Sequence, residues 1–245
     1  MEKIYLKEDI VLYQFPPTEQ RFLGQNIFVI YDNEDCLLID CGYPEHMKEV
    51  KKDLAGKNIK YVLATHFHPD HIYGIYEIGK QNLVGSHKAS ETLKIFEVEG
   101  DELMTPNHQV KGNDTIKFGK YNIMLTTNPG HSNCGMLIEV EDLLFVGDDM
   151  MTLNNGQPAI PYVAENITQH ITALEYISSI CDGKVICPSH GKILYDKNVV
   201  TQDIKTRIAY LLFARDDKRD LEIFEKENNV DFHGKKWHSL NIEKN

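Results

Sequence analysis

The segment His66-Phe67-His68-Pro69-Asp70-His71 contains four possible metal ligands within six residues. It directly follows Tyr61–Ala64, a short apolar run typical of a buried strand. His66 and His68 stand two positions apart, so both side chains can point the same way from an extended segment. The chain has eleven histidines in 245 residues, so such clustering by chance is rare. The segment therefore predicts a metal site where a strand runs into a helix.

Three further polar residues follow predicted strands later in the chain. His131 comes after Pro129-Gly130, Asp148 after the apolar run 144–147, and His190 lies within Pro188-Ser189-His190-Gly191. A single loop histidine is more often solvated, so each residue alone is a weak signal. Ligand sites in layered folds form where strand ends converge, and the ordered set therefore indicates one shared site.

The order of the predicted elements is repeated. A hairpin, a helix and a short strand precede His66, and the same order precedes His190. Residues 26–42 can be laid over residues 133–149 with Asp40 and Asp148 in register. The repeat predicts an α/β fold of two similar halves, packed sheet against sheet with the helices outside.

No linker rich in Pro, Gly or Ser separates the two halves, so we expect a single domain over residues 1–245. Its core is expected at about residues 20–200. The remaining residues 201–245 are expected to be a helical C-terminal extension, in which a helix over residues 199–227 is followed by a polar tail after Gly234.

Composition excludes several classes of protein. Lys plus Arg number 26 and Asp plus Glu number 37, a net charge of −11 that disfavours nucleic acid as a partner. With 42% hydrophobic and 26% charged residues, the chain is neither disordered nor a membrane bundle. The five cysteines include no Cys-x-x-Cys pair, which argues against a disulfide framework or a thiolate zinc site. Without an apolar run of signal-peptide or membrane-spanning length, the expected location is the cytoplasm.

The ordered motifs resemble those of the metallo-β-lactamase superfamily. The matching pieces are the 66–71 segment, Pro-Gly-His at 129–131, Gly-Asp at 147–148, Pro-Ser-His-Gly at 188–191 and the aspartate of residues 39–42. The resemblance covers about residues 20–200 and implies a four-layer αββα sandwich.

By this resemblance, two divalent metal ions share one site. The implied ligands are His66, His68 and His131 for one ion, Asp70, His71 and His190 for the other, and Asp148 as a bridge between them. Imidazole and carboxylate ligands suit zinc best, with iron or manganese possible. Asp40 is expected either to orient a ligand or to serve only as a turn residue at the end of the hairpin.

The resemblance implies a dinuclear hydrolase, in which a hydroxide generated by the ions attacks a small ester, thioester or lactone. Asp70 is the expected catalytic residue, which orients the nucleophile and passes a proton to the leaving group. Two divalent ions outweigh two aspartates and a hydroxide by one positive charge, so such a site favours a small anionic substrate. No nucleic acid or membrane partner is expected, and the oligomeric state is not predictable.

Several family signatures are absent. The Gly-His-Glu-Tyr of glyoxalase II is replaced by Ser189-His190-Gly191-Lys192, and the tyrosine of acyl-homoserine lactonases by Asp149-Met150-Met151. His68 stands where flavodiiron proteins carry glutamate, and the second-site residues differ from those of β-lactamases that use a cysteine ligand. The alternatives left open are a mononuclear-iron sulfur dioxygenase, a phosphodiesterase of the superfamily, and a non-catalytic metal-binding protein.

Some remaining polar and aromatic residues are ambiguous. His87 is at a position that often lines the cleft in related enzymes, but it is interpreted as a solvent-facing histidine at a helix start, and His108 and His170 are interpreted as surface residues. The tail residues His233, Trp237 and His238 are expected either to cap a substrate pocket or to belong to a loosely packed terminus. Asn154 and Tyr162 are possible substrate contacts.

Overall fold

Two β-sheets form the centre of the computed structural model, which describes residues 1–216 and 220–243. The first sheet has seven strands in the order β1 to β7, namely Glu2–Lys7, Ile10–Phe15, Gln25–Asp32, Asp35–Ile39, Asn58–Leu63, Leu83–Ser86 and His108–Val110. The second sheet has five strands, namely β8 Asn113–Phe118, β9 Tyr121–Thr127, β10 Met136–Val140, β11 Leu143–Gly147 and β12 Val185–Pro188. Its order is β12-β11-β10-β9-β8.

Helices cover the outer face of each sheet. In the first half they are α1 Pro44–Asp53, α2 Pro69–Ile72, α3 Ile75–Ile78 and α4 Ala89–Ile95. In the second half they are α5 Ile167–Ile180, α6 Lys197–Arg215, α7 Leu221–Asn228 and α8 Trp237–Ile242.

Three apolar cores separate these layers. In strand β2, Ile10 and Leu12 face the core between the two sheets, whereas Val11 and Tyr13 face the core beneath helices α1 to α4. This alternation follows from the period of two residues along a strand. A third core lies between the second sheet and helices α5 and α6. The expected four-layer αββα sandwich is therefore confirmed.

The two halves have the same connectivity. Strands β3 and β4 form an antiparallel hairpin, α1 follows, and β5 then pairs parallel to β4. Strands β10 and β11 form a second hairpin, α5 follows, and β12 pairs parallel to β11. Asp40 directly follows β4, and Asp148 directly follows β11. The repeat inferred from residues 26–42 and 133–149 thus corresponds to two equivalent structural units.

Part of the prediction for the C-terminal region was wrong. Instead of one helix over 199–227, α6 ends at Arg215 and α7 begins at Leu221, while the intervening residues 217–219 lie outside the described part of the chain. The polar tail is packed rather than loose, because Asn241 in α8 is fully buried. Within the described residues, no helix is both long and apolar enough to cross a membrane.

Candidate metal centre

The C-terminal ends of strands from both sheets meet at one edge of the sandwich. His66 lies three residues after β5, Asp148 directly follows β11, and His190 lies two residues after β12. Backbone hydrogen bonds connect the two sheets at this edge: Met136 N–H donates to the carbonyl of Thr65 over 2.8 Å. The parallel pairing of β4 with β5 and of β11 with β12 therefore brings distant segments together.

His66, His68 and His131 form the first cluster, which consists of imidazoles alone. The Nδ1 atom of His68 lies 3.1 Å from Nε2 of His131. Burial and, to a smaller extent, the neighbouring His131 together lower the pKa of His68 to about 3. The His68 ring is therefore neutral near pH 7, the state in which imidazole binds a metal ion.

Asp70, His71, Asp148 and His190 form the second cluster. The Nε2 atom of His190 lies 3.2 Å from Oδ2 of Asp70 and 3.3 Å from Oδ2 of Asp148. Burial disfavours the charged imidazolium, yet the Asp148 carboxylate and its hydrogen bond raise the pKa of His190 to about 10. The two carboxylates thus attract positive charge to this cluster.

The Asp148 carboxylate lies between the two clusters. Its Oδ2 atom is 3.9 Å from Nε2 of His66 and 3.6 Å from Nε2 of His131. Its Oδ1 atom is 3.3 Å from Nε2 of His71 in the other cluster. One carboxylate is therefore within reach of both sets of nitrogen atoms.

Buried atoms without partners test whether this donor set fits metal ions. The Nε2 atoms of His66 and His71 and the Oδ1 atom of Asp148 are buried and accept or donate no hydrogen bond among the described residues. Leaving a buried polar atom without a partner costs about 1–3 kcal/mol, and three such atoms within the two clusters fit a bound ligand that would satisfy them. Nitrogen and oxygen donors without thiolate suit a divalent ion such as zinc.

The opposite ring nitrogens of three of the histidines are bonded to protein oxygens. The Nδ1 atom of His131 donates to the carbonyl of Tyr162 over 2.9 Å, and that of His190 donates to the carbonyl of Gly24 over 2.6 Å. The Nδ1 atom of His71 bonds to the Asp40 carboxylate over 2.8 Å. Such bonds leave Nε2 free for a metal ion and fix the orientation of each ring. The carbonyls of Gly24 and Tyr162 were missed from the sequence, because any residue type offers a carbonyl.

Asp40 is the centre of a buried hydrogen-bond network. Besides His71, its carboxylate accepts bonds from the Thr65 amide and hydroxyl and from the Ser189 hydroxyl, each over 2.8 Å. Thr65 precedes the first histidine and Ser189 precedes His190, so Asp40 joins the two strand ends that carry ligand candidates. Of the two expectations for Asp40, the structure favours the orientation of a ligand.

A second buried aspartate supports the loop that carries His131. Asp149 accepts a bond from the His131 amide over 2.9 Å and one from the Asn128 side chain over 3.1 Å. Burial raises the pKa of Asp149 to about 7 despite these bonds. The sequence identified Asp149 only as the residue that replaces a lactonase tyrosine, so this support was missed.

His170 was wrongly predicted to be a surface residue. It lies on the inner face of α5, fully buried, with Nε2 3.5 Å from Oδ1 of Asp149. Burial lowers the pKa of His170 to about 3. The apolar residues Ile167, Ile171 and Leu174 are also buried, so helical spacing alone could have indicated the inward position.

A cavity of about 220 Å³ adjoins the centre and is lined in part by Asp70 and His190. Residues between positions 16 and 23 of the loop before β3 form one wall, and Lys236 and Trp237 of the C-terminal extension form another. Of the ambiguous tail residues, Trp237 therefore lies at this cavity. The His238 side chain is instead buried on the inner side of the tail, where its Nδ1 atom lies 3.1 Å from the Tyr210 hydroxyl oxygen.

The other ambiguous residues lie outside the two clusters. Asn154 donates a hydrogen bond to the carbonyl of Phe15, and Tyr162 packs its ring between His131 and Trp237. His87 precedes α4 and contacts the carbonyl of Val110, and His108 pairs with Asp114 at the surface. The ring of His233 packs against Phe22 at 4.9 Å. Neither Asn154 nor Tyr162 lines the cavity beside the metal centre.

An αββα sandwich with two facing clusters of histidine and aspartate at one edge defines a class of metal-binding proteins. The family model described as "Metallo-beta-lactamase superfamily" matches residues 21–190, which include all seven residues of the two clusters. The chain therefore belongs to the metallo-β-lactamase superfamily. The resemblance deduced from the sequence motifs is confirmed.

Relatives of known sequence carry related names. The chain is 26% identical over 175 residues to the hydroxyacylglutathione hydrolase of Buchnera aphidicola subsp. Schizaphis graminum, a match that covers 70% of this chain and 64% of that protein. It is 26% identical over 189 residues to the β-lactamase-like protein 2 homolog of Caenorhabditis elegans, covering 74% of this chain and 60% of that protein. The chain thus matches less than two thirds of the length of these relatives.

Solved structures share the fold at low sequence identity. The DIM-1 metallo-β-lactamase exposed to ceftazidime superposes with a TM-score of 0.69 at 18% identity, covering 85% of this chain and 96% of that chain. The metallo-β-lactamase of Pontibacter korlensis superposes with a TM-score of 0.67 at 16% identity, covering 83% and 98%. These similarities extend the family assignment to the architecture.

Proposed function

We propose that this protein is a dinuclear metal-dependent hydrolase that cleaves a small ester, thioester or lactone. One observation carries the proposal: a single buried carboxylate, that of Asp148, lies within 3.9 Å of ring nitrogens in both clusters. A carboxylate in that position suits two cations at once. Two cations sharing a site are typical of enzymes that activate water for attack on an electrophilic centre.

His66, His68 and His131 would hold one ion and Asp70, His71 and His190 the other, with Asp148 between them. Zinc fits this donor set best, and iron and manganese accept the same ligands. Bound there, the two ions would lower the pKa of water and polarise a carbonyl oxygen.

Asp70 is the residue we propose for proton transfer. Its side chain is one quarter exposed and lines the cavity, whereas that of Asp148 is only 5% exposed. Burial raises the pKa of the Asp70 carboxyl, but the neighbouring His71 and a hydrogen bond from His190 outweigh burial and hold this pKa well below its ordinary value. An ionised Asp70 at the cavity wall can accept a proton from the nucleophile and deliver it to the leaving group.

The substrate we propose is a small molecule with a carbonyl electrophile. The cavity of about 220 Å³ has room for only part of such a molecule, and the name hydroxyacylglutathione hydrolase borne by one relative supports a thioester or ester. The test is a panel of thioester, ester, lactone, β-lactam and phosphodiester substrates with zinc-loaded protein. Hydrolysis of a carbonyl ester, thioester or lactone that Asp70→Asn reduces at least hundredfold is the expected result. Exclusive cleavage of the phosphodiester, or no turnover of any substrate, would contradict it.

We also propose that the protein resides in a reducing compartment, the cytoplasm. All five cysteines are free thiols, and four of them are buried. Buried thiols kept reduced behave as small apolar side chains. Fractionation of cells that express the full-length protein tests the location.

A further inference from the structure

The cavity beside the metal centre is built by two segments that are far apart in sequence. The loop before β3 contributes Arg21 and Phe22, and the C-terminal extension contributes Lys236 and Trp237. Asp70 and His190, two members of the second cluster, also line this cavity. A molecule bound in this cavity would therefore lie next to the proposed proton-transfer residue.

The two segments are held together by aromatic contacts. The rings of Phe22 and Trp237 have centroids 4.9 Å apart, and the Trp237 ring also packs on Tyr162 at 5.2 Å. Gly234 has φ +76°, and a Cβ atom there would lie 2.9 Å from the Phe22 ring. Glycine at this position therefore allows the C-terminal extension to close over Phe22 and complete the wall.

Lys236 provides a positive charge at this cavity that no carboxylate of the described residues neutralises. Arg21 is the other cationic side chain of the wall, and its charge is already paired. Its guanidinium lies 2.6 Å from the Glu45 carboxylate and 3.6 Å above the centre of the Tyr43 ring. Lys236 instead places its ammonium 5.8 Å from the centre of the Phe22 ring, and no carboxylate of the described residues pairs with it. His46 adds no charge near pH 7, because burial lowers its pKa to about 4.

We propose that this cavity binds a carboxylate-bearing apolar or aromatic portion of the substrate, with the carboxylate at Lys236 and the apolar portion against the faces that Phe22 and Trp237 turn to the cavity. The inference rests on the proposed function, because it assigns specificity to the same site. An ammonium on a flexible stem pairs with a carboxylate, and the neighbouring rings supply an apolar contact. A protein with a net charge of −11 repels anions over most of its surface, so this cation would select the part of the substrate that enters.

Trp237 makes the binding step measurable without turnover. It is the only tryptophan of the chain, so its fluorescence reports on this cavity alone. The experiment titrates the metal-loaded protein with phenylacetate and with its neutral counterpart phenylacetamide. We expect saturable changes in Trp237 emission and about tenfold tighter binding of phenylacetate, the preference typical of a charge-assisted bond.

The matched variants are Lys236→Gln, which keeps most of the stem over Phe22, and Lys117→Gln, which removes the same charge from the exposed face of strand β8. We expect Lys236→Gln to abolish the preference for phenylacetate and Lys117→Gln to retain it. A preference that survives in Lys236→Gln would show that the carboxylate binds elsewhere, such as at the metal ions, and would overturn the proposal. Absence of any saturable change in the unmodified protein would overturn it equally.

A kinetic measurement separates this proposal from the proposed function. For a hydrolysed thioester whose leaving group carries a carboxylate, Lys236→Gln should raise KM about tenfold with little change in kcat, and Lys236→Arg should restore KM. For the methyl ester of the same substrate, neither variant should change KM. If no substrate is hydrolysed, the proposed function fails while the fluorescence titration still decides the role of Lys236.

Discussion

The Oδ2 atom of Asp40 lies 2.8 Å from the Nδ1 atom of His71, and both side chains are shielded from solvent. Asp40 ends the first hairpin in a left-handed conformation with φ +56°, and His71 belongs to the short helix that follows the next strand. The contact therefore fixes the orientation of the His71 ring relative to the end of β4, and with it the position of the His71 Nε2 atom in the second cluster. Its consequences for metal affinity can be measured directly.

Asp40→Asn should weaken metal binding about 10- to 100-fold, because the amide has only one oxygen to accept four bonds. Asparagine tolerates the left-handed conformation, so the backbone of residue 40 should be preserved. Competition with a zinc chelator measures the affinity. Asp35→Asn, at the partly exposed first residue of β4 and outside both clusters, is the control and should match the unmodified protein. Equal affinity in Asp40→Asn would refute an orienting role for Asp40.

Gly191→Ala should destabilise the fold by about 2 kcal/mol or more. Gly191 has φ +87°, and a Cβ atom there would lie 2.0 Å from the carbonyl oxygen of Thr152. Gly183→Ala is a matched control, since Gly183 has φ +72° but open space around it. Urea denaturation of both variants separates the clash from the backbone strain. An equal loss of unfolding free energy in the two variants would show that the clash with Thr152, next to His190, does not add to the backbone strain.

Asn241→Leu should reduce the stability by about 3 kcal/mol and loosen the C-terminal extension. The Asn241 side chain donates to the carbonyl of Pro161 and to the Tyr210 hydroxyl, and it accepts from the Val163 amide. Thermal denaturation measures the stability, and a red shift of Trp237 emission reports the loosening. Ser239→Leu, on the exposed face of the same helix, should change neither property. An unchanged emission spectrum in Asn241→Leu would show that other contacts hold the extension.

His170→Leu should make the protein less sensitive to acid. The pKa of His170 is lowered to about 3 from the ordinary 6.5, so the unfolded chain binds a proton below pH 6.5 that the folded protein excludes. Stability is therefore lost as pH falls from about 6.5 toward 3, and the variant lacks this loss. Relative to the unmodified protein, the variant should gain about 2 kcal/mol between pH 7 and about pH 4.5. Parallel stability curves over this range would contradict the burial of a neutral His170.

The fold could be predicted because its determinants are local. Residues 32–35 form the turn of the first hairpin, and Pro44 is the first residue of α1. The Asn166 side chain caps α5 by accepting a hydrogen bond from the Gln169 amide. The period of two residues in strands and of 3.6 residues in helices then decides which faces are buried. Strand β1 was missed although its charged and apolar residues alternate. It is mostly exposed at the sheet edge and pairs only with β2, so it has no apolar run that marks a buried strand.

The ligand candidates could be predicted because histidine and aspartate are recognisable in a sequence as metal-binding residue types. The groups that orient these side chains could not be predicted. His190 is oriented by the backbone carbonyl of Gly24 and His131 by that of Tyr162. Every residue has such a carbonyl, so the residue type gives no indication of this role. The cavity wall was also beyond prediction, since Phe22 and Trp237 meet only through the tertiary fold. His170 was misjudged because a histidine was assumed to be solvated, although it lies on the apolar stripe of α5.

The metal content of the purified protein tests the central claim most directly. Elemental analysis after zinc loading should give two ions per chain, and Asp148→Ala, which removes the carboxylate between the clusters, should give one or fewer. A single tightly bound ion in the unmodified protein, unchanged in Asp148→Ala, would contradict a dinuclear centre joined by Asp148.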